Sequence, residues 1–83
     1  GLYIYQDGEF SVYTTENGLS QDFVNTLYED SKGNLWMVTG GKLACLKDGK
    51  ITSYDSKDGI LSGVNNITLV EDADGGLWIG TNQ

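Results

Sequence analysis

The chain has 83 residues, a formal net charge of −7, 12 glycines, one cysteine and neither proline nor histidine. Such acidity without a basic stripe argues against a nucleic-acid partner, and no apolar run is long enough for this segment to insert into a membrane. Without histidine no Ser/His/Asp or Cys/His catalytic set can form.

Leu2-Tyr3-Ile4-Tyr5 reads as a first strand, and Asp7-Gly8 is the strongest short hairpin signal. Phe10-Ser11-Val12-Tyr13 alternates as the return strand. Thr14 to Asp22 is a polar connection that carries Asn17-Gly18-Leu19. Phe23 to Tyr28 forms a third strand and Leu35 to Thr39 a fourth, with Gly40-Gly41 turning the chain. Lys42 to Leu46 makes the fifth strand, Asp48-Gly49 the next hairpin turn and Lys50 to Tyr54 the sixth. Asp58-Gly59-Ile60 echoes Asn17-Gly18-Leu19, and Ile67 to Val70 and Leu77 to Thr81 complete eight strands. No leader is visible ahead of the first strand, as expected of a mature segment or a piece of a longer protein.

The pattern repeats. Asp7-Gly8, Tyr13 and Gly18 recur 41 residues later as Asp48-Gly49, Tyr54 and Gly59, and Trp36 recurs 42 residues later as Trp78. The second unit therefore holds one extra residue between Ile60 and Glu71, assigned to Asn65-Asn66 as a bulge or longer loop. Four strands per unit of about 40 residues describe a blade of an all-β propeller. The chain divides into two repeat units of one propeller, residues 1–40 and 41–83. Its strands read C-D, A-B-C-D, A-B, one whole blade between two halves. The halves are complementary, so the expected partners are further blades of the same longer chain or identical copies. A lone two-blade monomer is not expected to fold. Head-to-tail copies would close rings of six or eight blades, never seven.

Within each unit the chain runs Glu29-Asp30-Ser31-Lys32-Gly33-Asn34-Leu35-Trp36 and Glu71-Asp72-Ala73-Asp74-Gly75-Gly76-Leu77-Trp78. Gly33 and Gly75 stand where the turn requires positive φ. In the following strand Leu35 and Met37 face one way, Trp36 and Val38 the other. Both sets are apolar, which predicts a strand covered on both faces. The paired carboxylates diverge along a strand and recur at equivalent places, so they are assigned to accepting turn N–H groups rather than to acid/base chemistry. Asp72-x-Asp74-Gly75 opens like a calcium loop, but no glutamate follows at the twelfth position, and Lys32 replaces the second aspartate in the first copy. No metal, cofactor or catalytic residue is therefore assigned. Trp36 and Trp78 are assigned to the core rather than to sugar-stacking platforms, and Cys45 to the core as a small hydrophobe. Tyr13 and Tyr54 end equivalent strands, where they either pack or line a ligand site.

The combination of Asn/Asp-Gly-Leu, Glu-Asp-x-x-Gly-x-Leu-Trp and the closing Gly-Thr resembles the two-component regulator propeller repeat. Tyr13 to Ser20, Val24 to Trp36 and Glu71 to Thr81 carry it, with Met37-Val38 in place of the usual Ile-Gly. The resemblance implies a non-catalytic sensor segment of a membrane-bound bacterial regulator, usually periplasmic and in one branch carbohydrate-sensing. A small molecule or oligosaccharide is the ligand it implies, and no residue is singled out as its site. A streptogramin-lyase-like enzyme shares the Gly-Asn-Leu-Trp turn but relies on histidine, and a WD-repeat scaffold would show Gly-His and Trp-Asp signatures that are missing here.

Overall fold

A computed structural model describes residues 1–21, 23–60 and 67–81. Among these residues eight strands form three antiparallel sheets in sequence order. The first pairs β1 (Leu2–Gln6) with β2 (Glu9–Tyr13). The second holds β3 (Val24–Glu29), β4 (Leu35–Thr39), β5 (Lys42–Lys47) and β6 (Lys50–Tyr54). The third pairs β7 (Ile67–Glu71) with β8 (Leu77–Thr81). One complete blade thus stands between an outer half and an inner half, the C-D, A-B-C-D, A-B order of the sequence.

The strands meander, so successive turns fall at alternate ends of the blade. At one end lie the tight turns. Asp7-Gly8 and Asp48-Gly49 have positive φ at both positions, the twist a two-residue hairpin needs. The longer connections and Gly40-Gly41 occupy the other end. There Gly40 has φ +62°, and a Cβ would meet the Ser20 side chain at 2.7 Å, so the loop before β3 can close over it. Thr39, 1% exposed, fastens that loop: its hydroxyl donates to the Gln21 carbonyl at 2.7 Å and accepts from the Gln21 N–H at 3.3 Å.

Two apolar layers cover the faces of the complete blade. On its back face Met37, Ala44 and Leu46 pack with Leu2 of β1 and with Leu19 from the connecting loop. On its front face Val38 and Leu43 pack with Ile67 and Leu69 of β7. Leu35 joins the back layer and Trp36 the front one, so the alternation expected from the sequence holds and β4 is covered on both sides. Cys45 is buried and unpaired, as expected, and burial pushes its thiol pKa up.

Three features differ from the sequence reading. Short 3-10 turns, Thr15–Asn17 and Ser56–Asp58, which the sequence reading does not assign, lie in the connections before β3 and β7. Thr14 and Asn17 cap each other reciprocally in the first, and Asp55 and Asp58 bond similarly in the second. The Thr-x-x-Asn and Asp-x-x-Asp spacing was the signal for both. A β-bulge occurs in the first unit, where Thr26, at φ +57°, is extra between the Asn25–Val38 and Leu27–Met37 pairs. The extra residue assigned to Asn65-Asn66 lies outside the described residues, as does Asp22. Finally, Phe23 precedes β3 rather than opening it and is 67% exposed.

Candidate functional site

Each Glu-Asp-x-x-Gly-x-Leu-Trp segment folds its aspartate into the turn beside it. In the first copy Asp30 Oδ1 accepts the N–H groups of Lys32 and Asn34, both at 2.9 Å. Its Oδ2 accepts the Asn34 side-chain amide and the Trp36 indole N–H, both at 3.0 Å. The second copy repeats this from Asp72, to the N–H groups of Asp74 at 2.9 Å and Gly76 at 2.8 Å and to the Trp78 indole at 3.0 Å. Gly33, at φ +81°, turns the backbone so that these donors converge. Donors aimed at a carboxylate favour its charged form. The Trp36 indole, then the Asn34 and Lys32 donors, lower the Asp30 pKa from 3.8 to about 2. The Gly76 N–H and the Trp78 indole lower that of Asp72. Both Asp72 oxygens are thus engaged by N–H donors, and the calcium-like spacing serves the turn. Among the described residues no group of three or more His, Cys, Asp or Glu is placed to hold a metal ion.

Glu71, beside Asp72, does a different job: it ties the two blades together. Its carboxylate accepts the Ser31 N–H and the Ser31 hydroxyl, each at 2.7 Å. Its own backbone N–H donates to the Tyr28 hydroxyl at 3.1 Å. The acidic pair therefore divides its labour, with aspartate holding its own turn and glutamate the turn of the preceding blade. Sequence spacing showed a structural role for the pair but not this division, because the partner lies 40 residues away.

The tryptophans separate. Trp36 is half-buried and stacks on Tyr54, with ring centroids 5.9 Å apart and planes 26° from parallel. Trp78 is 68% exposed, which corrects its assignment to the core. It lies on the front face of β8, and no described residue packs over that face as β7 and β8 pack over Trp36. Tyr13 packs against the back layer. Tyr54 both packs and lines a cleft of about 270 Å³ with Trp36, Leu43, Ile60, Leu77 and Ile79. A second cleft, of about 410 Å³, lies between β1 and the complete blade beside Ile4, Glu29, Leu35 and Leu46. Both clefts lie between blades, and among the described residues no catalytic constellation lines either one. Among the described residues no helix is long and apolar enough to cross a membrane.

The repeats match a known family. The family model described as two component regulator propeller matches residues 18–41 and 59–83, more than half of the sequence. Each match runs from the loop glycine through an A-B strand pair. No curated protein matches the chain.

Proposed function

Since the chain belongs to the two-component regulator propeller family, we propose that it is a non-catalytic sensing segment, held outside the cytoplasm of a bacterial cell, whose ligand is a small molecule or oligosaccharide. The observation that carries this reading is that both matches of the family repeat fall on the same unit, a connecting loop and an A-B strand pair, which in the first copy opens a four-stranded blade. A propeller blade presents its loops at the ends of the strands, and binding residues concentrate on loops held by a rigid scaffold. Here the end with longer connections presents the loop around Gly18–Gln21 beside Gly40-Gly41, fastened by Thr39. Ligand loops there would converge from neighbouring blades around a common axis. The net charge of −7 favours neutral or cationic ligands over acidic ones.

NMR titration of the chain with a panel of neutral and acidic oligosaccharides tests the ligand class. Saturable shifts confined to residues 14–21, 40–41 and 55–60 are expected. A panel that moves no loop resonance overturns the carbohydrate part. Alkaline phosphatase fused behind the chain in its native gene is expected to be active, because the enzyme matures only after export. An inactive but stable fusion overturns the periplasmic placement.

A further inference from the structure

The loop ahead of β3 holds the sequence's one Asn-Gly pair, Asn17-Gly18. Asparagine is chemically labile before glycine, because a residue without a Cβ lets its backbone nitrogen swing onto the preceding side-chain carbonyl. Both residues are exposed. Asn17 ends a 3-10 turn only three residues long. Its Oδ1 accepts the Thr14 N–H at 2.9 Å and the Thr14 hydroxyl at 3.4 Å. The Gly18 N–H donates to the Thr15 carbonyl at 3.3 Å, a long bond that holds this nitrogen weakly. A single exposed turn of this kind opens locally at little cost.

The second unit shows what such a loop tolerates. Asp58-Gly59 occupies the equivalent place, at the end of the turn Ser56–Asp58. Asp58 Oδ2 accepts the Asp55 N–H at 3.0 Å, as Asn17 Oδ1 accepts that of Thr14. Gly18 and Gly59 share the left-handed conformation, at φ +108° and +97°. In both turns the capping side chain serves as an acceptor, and a carboxylate fills that role as well as an amide does.

We propose that Asn17 is a site of spontaneous deamidation in the folded chain, with water as the co-reactant. The Gly18 nitrogen, its proton lost to hydroxide, attacks Asn17 Cγ. The new N–Cγ bond closes a succinimide ring, and Nδ2 leaves as ammonia. Water then opens the ring at either carbonyl. Cleavage of the N–Cγ bond leaves an aspartate at position 17, the residue type that the second unit already carries. Cleavage of the bond to the main-chain carbonyl carbon leaves an isoaspartate, whose main chain runs through Cγ and is longer. Both products add one negative charge to the formal −7. They differ in what they do to the fold. Aspartate keeps the acceptor and lets the turn close again. Isoaspartate displaces Gly18 and Leu19, whose N–H groups donate to the Thr15 and Thr14 carbonyls at 3.3 and 3.2 Å. Leu19, 3% exposed, is the residue this loop contributes to the back layer beside Met37 and Leu46. The lengthened backbone therefore draws Leu19 out of the core.

The test is to incubate the full chain at mildly alkaline pH and follow it by ion exchange and peptide mass spectrometry. Conversion is expected at Asn17, with Asn25 and Asn34, which precede threonine and leucine, intact over the same interval. Thr14→Val, which removes a cap of the turn, is expected to speed it, and unfolding in urea to speed it further. The aspartate fraction is expected to melt with the Asn17→Asp variant and the isoaspartate fraction below it. A folded chain whose Asn17 stays intact while the urea-unfolded chain converts overturns the proposal. So does conversion of Asn25 or Asn34 at the rate of Asn17, and equal melting of the two product fractions overturns the displacement of Leu19. If Thr14→Val does not fold, Asn17→Gln still decides: its carbonyl carbon lies one bond further from the Gly18 nitrogen, and the gain in charge is expected to disappear.

Discussion

Glu29–Thr39 and Glu71–Thr81 are one motif in two surroundings. In both, the aspartate accepts the turn N–H groups and the indole N–H at the same distances to within 0.1 Å. Yet Trp36 is half-buried against β7, β8 and Tyr54, while Trp78 is 68% exposed. The hydrogen bonds close within a handful of residues, so they form wherever the motif occurs. Burial depends on the next blade, and the motif carries no information about whether that blade is present. A repeat residue that is apolar and exposed therefore points to a surface awaiting cover.

The largest expected difference lies in the tryptophans. Trp36→Ala removes the stacked ring and opens the front layer, at a cost of about 3 kcal/mol, the low end for a core aromatic. Trp78→Ala loses little more than its indole hydrogen bond, about 1 kcal/mol. Urea titrations of the two variants under one set of conditions compare them directly. Equal losses would show that neighbouring strands do not set the burial of Trp36. The glutamates come next. Glu71→Ala breaks both bonds to Ser31 and is expected to cost about 1–2 kcal/mol, whereas Glu29→Ala in the same chain is expected to be nearly silent. Ser31→Ala combined with Glu71→Ala in a double-mutant cycle should give a coupling well above zero; additive losses would dissolve the tie between blades.

The strand starts supply the third contrast. Thr26 sits at φ +57°, where a β-branched residue is strained, while its repeat equivalent Thr68 sits in a regular pair with Gly80. Thr26→Gly relieves the strain and is expected to stabilise the chain by up to about 1 kcal/mol. Thr68→Gly only loosens a strand and is expected to cost a similar amount. A lower melting temperature for both variants would mean that the Thr26 conformation carries no strain.

Much of this was legible in the sequence for a physical reason. Alternation fixes which residues share a face, so the two-sided burial of β4 followed from Leu35-Trp36-Met37-Val38 alone. Turn chemistry is equally local, and Asp7-Gly8, Asp48-Gly49 and Gly33 behave as their residue types require. What stayed hidden was non-local. Glu71 reaches Ser31 across a blade boundary, and the Thr26 bulge is set by register against β4 rather than by its neighbours in sequence. Trp78 was misread because its motif matches that of Trp36 and only tertiary context separates them.

The smallest expected effect is the dependence on pH, and it isolates the part of the motif that the two copies share. Asp30 has its pKa lowered on folding from 3.8 to about 2, first by the Trp36 indole and then by the Asn34 and Lys32 donors. A carboxyl whose pKa falls on folding binds its proton more readily in the unfolded chain, so it stabilises the folded state at pH values above its unfolded pKa. That contribution is complete above about pH 5, declines as the pH falls through 3.8, and is lost as it falls through about 2. Asp72 is shifted in the same direction but has one donor fewer, because Gly76 offers no side-chain amide where Asn34 does. Asp30→Asn is therefore expected to flatten the acid limb of the stability curve more than Asp72→Asn does, with both variants parallel to the native chain above pH 5. Melting temperatures from pH 2 to 7 at constant ionic strength measure the difference. Equal flattening by both variants would mean that the Asn34 amide adds nothing to the cradle, and Gly76→Asn would then leave the acid limb unchanged instead of steepening it.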